Sequence, residues 1–140
     1  MESLGTMVTD GPTMTAVAAR TVGDMPACRL RRVTQYIQDN LHRKLRLAEL
    51  SAQVHMSPYH FARLFKQSTG TPPHRFVLGR RIDRAATLLS TGELSIGEVA
   101  RLVGFQTTSH FTTVFRRLTG ITPSVYRIAK ATARLDDRAT

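Results

Sequence analysis

From Leu30 onward, the apolar residues of this chain recur at spacings of three and four. Leu30, Val33, Ile37 and Leu41 form one such stripe, the mark of a helix with a single buried face. Leu47, Leu50 and Val54 form a second, shorter one. Ser57-Pro58 then reads as a helix start: a side-chain acceptor at the N-cap, and a proline where no N–H is needed. Phe61, Leu64 and Phe65 give that helix its apolar stripe, and Gly70 with Pro72-Pro73 ends it. A longer helix over about 75–90 buries Val77, Leu78, Ile82, Ala85, Leu88 and Leu89 and stops near Gly92. No segment alternates with a period of two, so the pattern predicts an all-α protein.

The second half repeats the first. Ile96, Val99 and Val103 match Leu47, Leu50 and Val54 at an offset of 49, and Phe111, Val114 and Phe115 match Phe61, Leu64 and Phe65 at an offset of 50. The one-residue difference falls in the connection between two short helices, where an insertion is cheapest. "HFARLFKQSTGTPP" and "HFTTVFRRLTGITP" are the two copies of the same text. Preservation of both stripes argues duplication of a two-helix unit, and two copies bridged by a dissimilar helix do not make a solenoid. Residues 1–28 carry Pro12 and Pro26 and show only a weak helical hint at "MTAVAARTV", so they read as a flexible tail. Residues 128–140 are polar and read as a second tail.

Charge changes the picture. The 140 residues include 20 Lys+Arg against 10 Asp+Glu, a formal net charge of +10, and only Lys44, Lys66 and Lys130 are lysines. Such a balance points to a polyanionic partner, nucleic acid before an anionic membrane surface. No apolar run approaches the roughly 18 residues of a membrane span. The N-terminus lacks the basic start and apolar stretch of a secretory signal. The single Cys28 excludes an internal disulfide. A soluble, cytoplasmic protein is expected. Neither GxGxxG nor GxxxxGK[ST] occurs, and no acid–base or nucleophile constellation appears, which argues against an enzyme. The five histidines place no pair at ligand spacing on one face, so no metal and no cofactor are expected.

A basic pair of short helices joined by a tight turn is a helix-turn-helix, which inserts its second helix into a major groove of double-stranded DNA. Gly104 suits the second turn through its freedom at positive φ, and His55 takes the same place in the first. With Phe61, Leu64 and Phe65 inward, Tyr59, Ala62, Arg63 and Lys66 face outward behind the cap Ser57, with His60 on the flank. With Phe111, Val114 and Phe115 inward, Ser109, Thr112, Thr113 and Arg116 face outward, Thr108 sits on the first turn and Thr107 caps it. Arg63 suits bidentate contact with guanine, the hydroxyls suit bases or phosphates, and Lys66 and Arg116 are placed for phosphate. His60 and His110 are open between DNA contact and local packing, as is Tyr59. Arg80, Arg81 and Arg84 are open between a partner contact, with DNA backbone or polymerase, and a merely solvated face.

Residues 29–127 resemble the DNA-binding domain of the AraC/XylS family of bacterial transcription regulators. The resemblance rests on "RVTQYIQDNL", "LAELSAQVHMSPYHFARLFKQSTGTPP", "RRIDRAATLL" and "SIGEVARLVGFQTTSHFTTVFRRLTGITPSVYR". It implies about seven helices, with helix-turn-helix units over about 47–68 and 96–118 joined by a rigid central helix. It also implies promoter binding and activation through contact with RNA polymerase. Thr107 stands where relatives commonly carry Asp, and Thr113 where many carry Arg. Larger members carry an effector-binding or dimerising domain ahead of this one, so the chain resembles the short stand-alone members or a fragment of a longer regulator. A central helix of about 15 residues spans roughly 22 Å, which with the bodies of the units puts the readers about one DNA turn, near 34 Å, apart. A monomer reading two half-sites is therefore expected. The rival expectation is a truncated regulator acting through protein–protein interaction.

Overall fold

The computed structural model describes residues 24–139. Among them the chain forms seven helices and no strand: α1 (Ala27–Asp39), α2 (Leu47–Ala52), α3 (Pro58–Thr69), α4 (Pro73–Thr91), α5 (Ile96–Leu102), α6 (Thr108–Thr119) and α7 (Pro123–Ala139). Two apolar cores form along α4, which is common to both. Val77 joins Val33, Ile37, Leu50, Phe61 and Phe65 in the first core. Ile82, Ala85 and Leu89, further along the same helix, join Val99, Phe111 and Phe115 in the second. A single helix therefore supplies a wall to each lobe.

The duplication extends further than a two-helix unit. Ser57 accepts a hydrogen bond from the backbone N–H of His60, and Thr107 accepts one from that of His110. Thr69 Oγ1 donates to the Phe65 carbonyl at 2.9 Å, and Thr119 Oγ1 to the Phe115 carbonyl at 2.7 Å. Pro73 and Pro123 each sit at the first position of the next helix. Phe76 then meets Phe65 edge-on with centroids 5.1 Å apart, as Tyr126 meets Phe115 at 5.5 Å. Even the cations repeat, with Arg80 over the Phe76 ring and Lys130 over that of Tyr126. The repeated unit is thus two short helices and the beginning of a third.

Several expectations are corrected. Residues 128–139 are helical, because α7 continues beyond Arg127 to Ala139 and is tied to α4 and the segment after it by polar bonds. Arg127 donates to the Leu94 carbonyl and Arg134 to that of Ser90. The reading of 1–28 as a tail lies outside the described residues up to residue 23. Its last part belongs to the fold: Met25 is buried, its N–H donates to Ser68 Oγ at 2.8 Å, and α1 begins at Ala27. Leu47, expected on a buried stripe, is 40% exposed because it opens α2 beside a groove bordered by Pro72 and Pro73. Leu30, Leu78 and Leu88 are half-buried. The helix expected from residue 75 begins at Pro73.

The loop between α1 and α2 is pinned from outside. Arg43 pairs with Glu49, Tyr36 donates its hydroxyl to the same carboxylate, and Arg43 Nη2 donates to Tyr36 Oη at 2.9 Å. The Arg43 guanidinium and then the Tyr36 hydroxyl hold the Glu49 carboxyl down at about 2, against an ordinary 4.5. A carboxylate depressed in the folded state contributes stability above its unfolded value, and that contribution is lost as the pH falls through the folded one. The wild type will therefore lose more melting temperature than Glu49→Gln as the pH falls from 4.5 to about 2. Parallel melting curves across that window would show that the carboxylate contributes nothing to the fold.

Candidate nucleic-acid interface

Helices α3 and α6 are built the same way. A hydroxyl cap fixes its start, an apolar stripe turns one face into a core, and the opposite face is left exposed. On α3, Tyr59 is 79% exposed, and Ser57, His60, Arg63 and Lys66 are exposed with it. On α6, Thr107, Thr108, Ser109, His110, Thr113 and Arg116 are exposed. Thr112 is half-buried, and so is Ala62, which occupies the equivalent place on α3. The outward face of α6 is therefore narrower than its helical spacing suggests.

Two side chains of the second unit are partly committed to the fold. The His110 ring meets Phe105 edge-on with centroids 5.2 Å apart, which gives it a local packing role. Thr108 leans on α5: a Cβ added to Gly97 would lie 3.4 Å from Thr108 Oγ1. No such packing partner crowds Tyr59, whose ring stands out from the first turn of α3.

The electrostatics of α3 and α6 are one-signed. No Asp or Glu occurs between Ser51 and Ile82, nor between Val99 and Leu135. Neither α3 nor α6 therefore carries a carboxylate to repel an anion or to neutralise its own cations. The fold gathers basic side chains that the sequence does not place together. A cleft of about 750 Å³ between the α1–α2 loop and the α5–α6 turn is lined by His42, Lys44, His74, Arg101 and His110. These residues come from four separate stretches of the chain, and only tertiary structure brings them together. Arg80 and Arg84 are exposed on α4, but Arg81 between them is buried, so the three do not form one solvated face.

The fold and these two faces define a double helix-turn-helix DNA-binding domain. A family model described as a helix-turn-helix domain matches residues 50–129. The probable transcriptional regulator LumQ of Photobacterium leiognathi is 37% identical over 95 residues, which cover 68% of this chain and 38% of LumQ. The arabinose operon regulatory protein of Escherichia coli is 36% identical over 100 residues, covering 71% of this chain and 34% of its own length. The DNA-binding domain of AdpA, solved in complex with a target DNA, matches with a TM-score of 0.72 at 32% identity, covering 76% of this chain and 96% of that domain. The chain belongs to the AraC/XylS family of transcription regulators and contains its DNA-binding domain. It spans less than half the length of the two curated relatives.

Proposed function

We propose that the chain binds a promoter site as a monomer, with α3 and α6 in successive major grooves, and activates transcription by contact with RNA polymerase in the bacterial cytoplasm. The observation that carries the reading is the twofold occurrence, in one chain, of a hydroxyl-capped helix whose exposed face is free of acidic residues. The relative solved with its target DNA supports duplex DNA as the partner. Activation and the polymerase contact rest on family membership alone. The chain works by binding, with no chemistry of its own.

The two readers are unequal. The first offers Tyr59 and Arg63, long side chains with an aromatic face and a bidentate donor. The second offers Thr108, Ser109 and Thr113, which must approach the bases closely or work through water. Arg63→Ala will weaken binding to the preferred site by about 1–3 kcal/mol and relax specificity there. Thr113→Ala will cost less. Arg116→Ala will weaken all sequences alike and flatten the salt dependence. Titrations with each half-site scrambled separately, at two salt concentrations, check all three. Equal losses from the two scrambles would overturn the asymmetry, and binding indifferent to the second half-site would overturn the two-groove reading itself.

A further inference from the structure

Arg81 sits on the central helix with 9% of its surface exposed. Its Nη1 donates to the Gly104 carbonyl at 2.9 Å, and its Nη2 donates to the Arg43 carbonyl at 2.7 Å. Arg43 belongs to the α1–α2 loop of the first lobe, and Gly104 to the turn of the second helix-turn-helix, three residues before the Thr107 cap of α6. One side chain therefore ties the first lobe to the start of the second reader. The two backbones also touch beneath it: a Cβ on Gly104 would lie 2.2 Å from the Leu41 carbonyl oxygen. The loop it grips is not slack, because Arg43 is held in turn by Tyr36 and Glu49. Burial disfavours the Arg81 charge, so a cation kept here must be held by acceptors placed for it. The two carbonyls fit the planar fork of a guanidinium, and an ammonium cannot span both in that geometry.

We propose that Arg81 is a positioning residue that fixes the separation and rotation between α3 and α6, and so selects the spacing between the two half-sites. The proposal rests on the two-groove reading above. Inserting one base pair moves the second half-site by about 3.4 Å and turns it by about 35° around the duplex axis. Lobes joined by α4 alone can follow such a shift by bending that helix. Lobes pinned by Arg81 cannot.

The test uses the full chain and a duplex selected from a random pool, with its half-sites moved apart or together by one and two base pairs, beside a duplex keeping only the first half-site. Wild type will lose about tenfold or more in affinity for a one-base-pair shift, a factor that one misplaced contact can supply. Arg81→Met, which keeps bulk and removes both donors, will flatten that profile to within about threefold while leaving the isolated half-site unchanged. Arg81→Lys, which keeps the charge and one bond, will fall between and serves if the methionine variant does not fold. Nitroxides on Cys28 and on Ser124→Cys will show a narrow distance distribution in wild type and a broader one in either variant. A variant with the wild-type spacing profile and a narrow distribution overturns the proposal. Wild-type binding that ignores the second half-site overturns the two-groove reading instead.

Discussion

Phe115→Ala and Phe65→Ala will each destabilise the protein by about 3–5 kcal/mol, the range for removing a fully buried ring. Both rings are completely buried. Phe65 packs on Phe61 at 5.5 Å and on Phe76 at 5.1 Å, and Phe115 on Phe111 at 5.7 Å and on Tyr126 at 5.5 Å. The neighbours belong to two different helices in each lobe, α3 and α4 or α6 and α7, so the cavity cannot close by the movement of one element. A domain of this size has about 5–15 kcal/mol of total stability, so either change removes a large fraction of it. Because the lobes have separate cores, the damage will be local first. In Phe115→Ala the amides of α5 and α6 will lose hydrogen-exchange protection before those of α2 and α3, and in Phe65→Ala the order will reverse. Urea unfolding and exchange measured on both variants check this. Midpoints close to wild type, or equal loss of protection in both lobes, would show that the cores are not organised as described.

These stripes were legible because helical periodicity is a local signal. Phe61, Leu64 and Phe65 announce a buried face within five residues, and Ser57-Pro58 announces where their helix starts. The positive φ of His55 was legible too, through alignment of the two copies: His55 occupies the place of Gly104 and has φ 56°. What the sequence hid depends on partners far along the chain. Arg81 looks like Arg80 and Arg84 in any window of sequence, yet its acceptors lie 23 and 38 residues away. The polar run after Arg127 reads as a tail because α7 is tied to its surroundings through arginine–carbonyl bonds as well as apolar contact, and no periodicity rule registers those. The burial of Thr112 depends on the neighbouring helices, which the spacing of α6 alone does not specify.

Gly104→Ala will be among the most damaging single substitutions in the protein, although it adds only one carbon. Gly104 has φ +92°, and its Cβ would lie 2.2 Å from the Leu41 carbonyl oxygen and 2.8 Å from Arg81 Cζ. The left-handed conformation alone costs a residue with a side chain about 1–2 kcal/mol. The clash is with backbone on one side and a doubly bonded guanidinium on the other, so neither neighbour can yield cheaply. Moving the α1–α2 loop away breaks the Arg81 bonds, and hydrogen bonds to a charged group are worth about 1.5–3 kcal/mol each. Losing one of them brings the total to roughly 4 kcal/mol when added to the backbone strain. The first unit supplies the control. His55 adopts the same left-handed region and is exposed, so His55→Gly will relieve strain and gain about 0.5–1 kcal/mol after glycine's entropic cost. Opposite signs at equivalent turns are the expected result, read from urea midpoints of the two variants. A Gly104→Ala protein within about 1 kcal/mol of wild type would mean that the contact between the lobes gives way easily, because only a movable joint could absorb so close an approach.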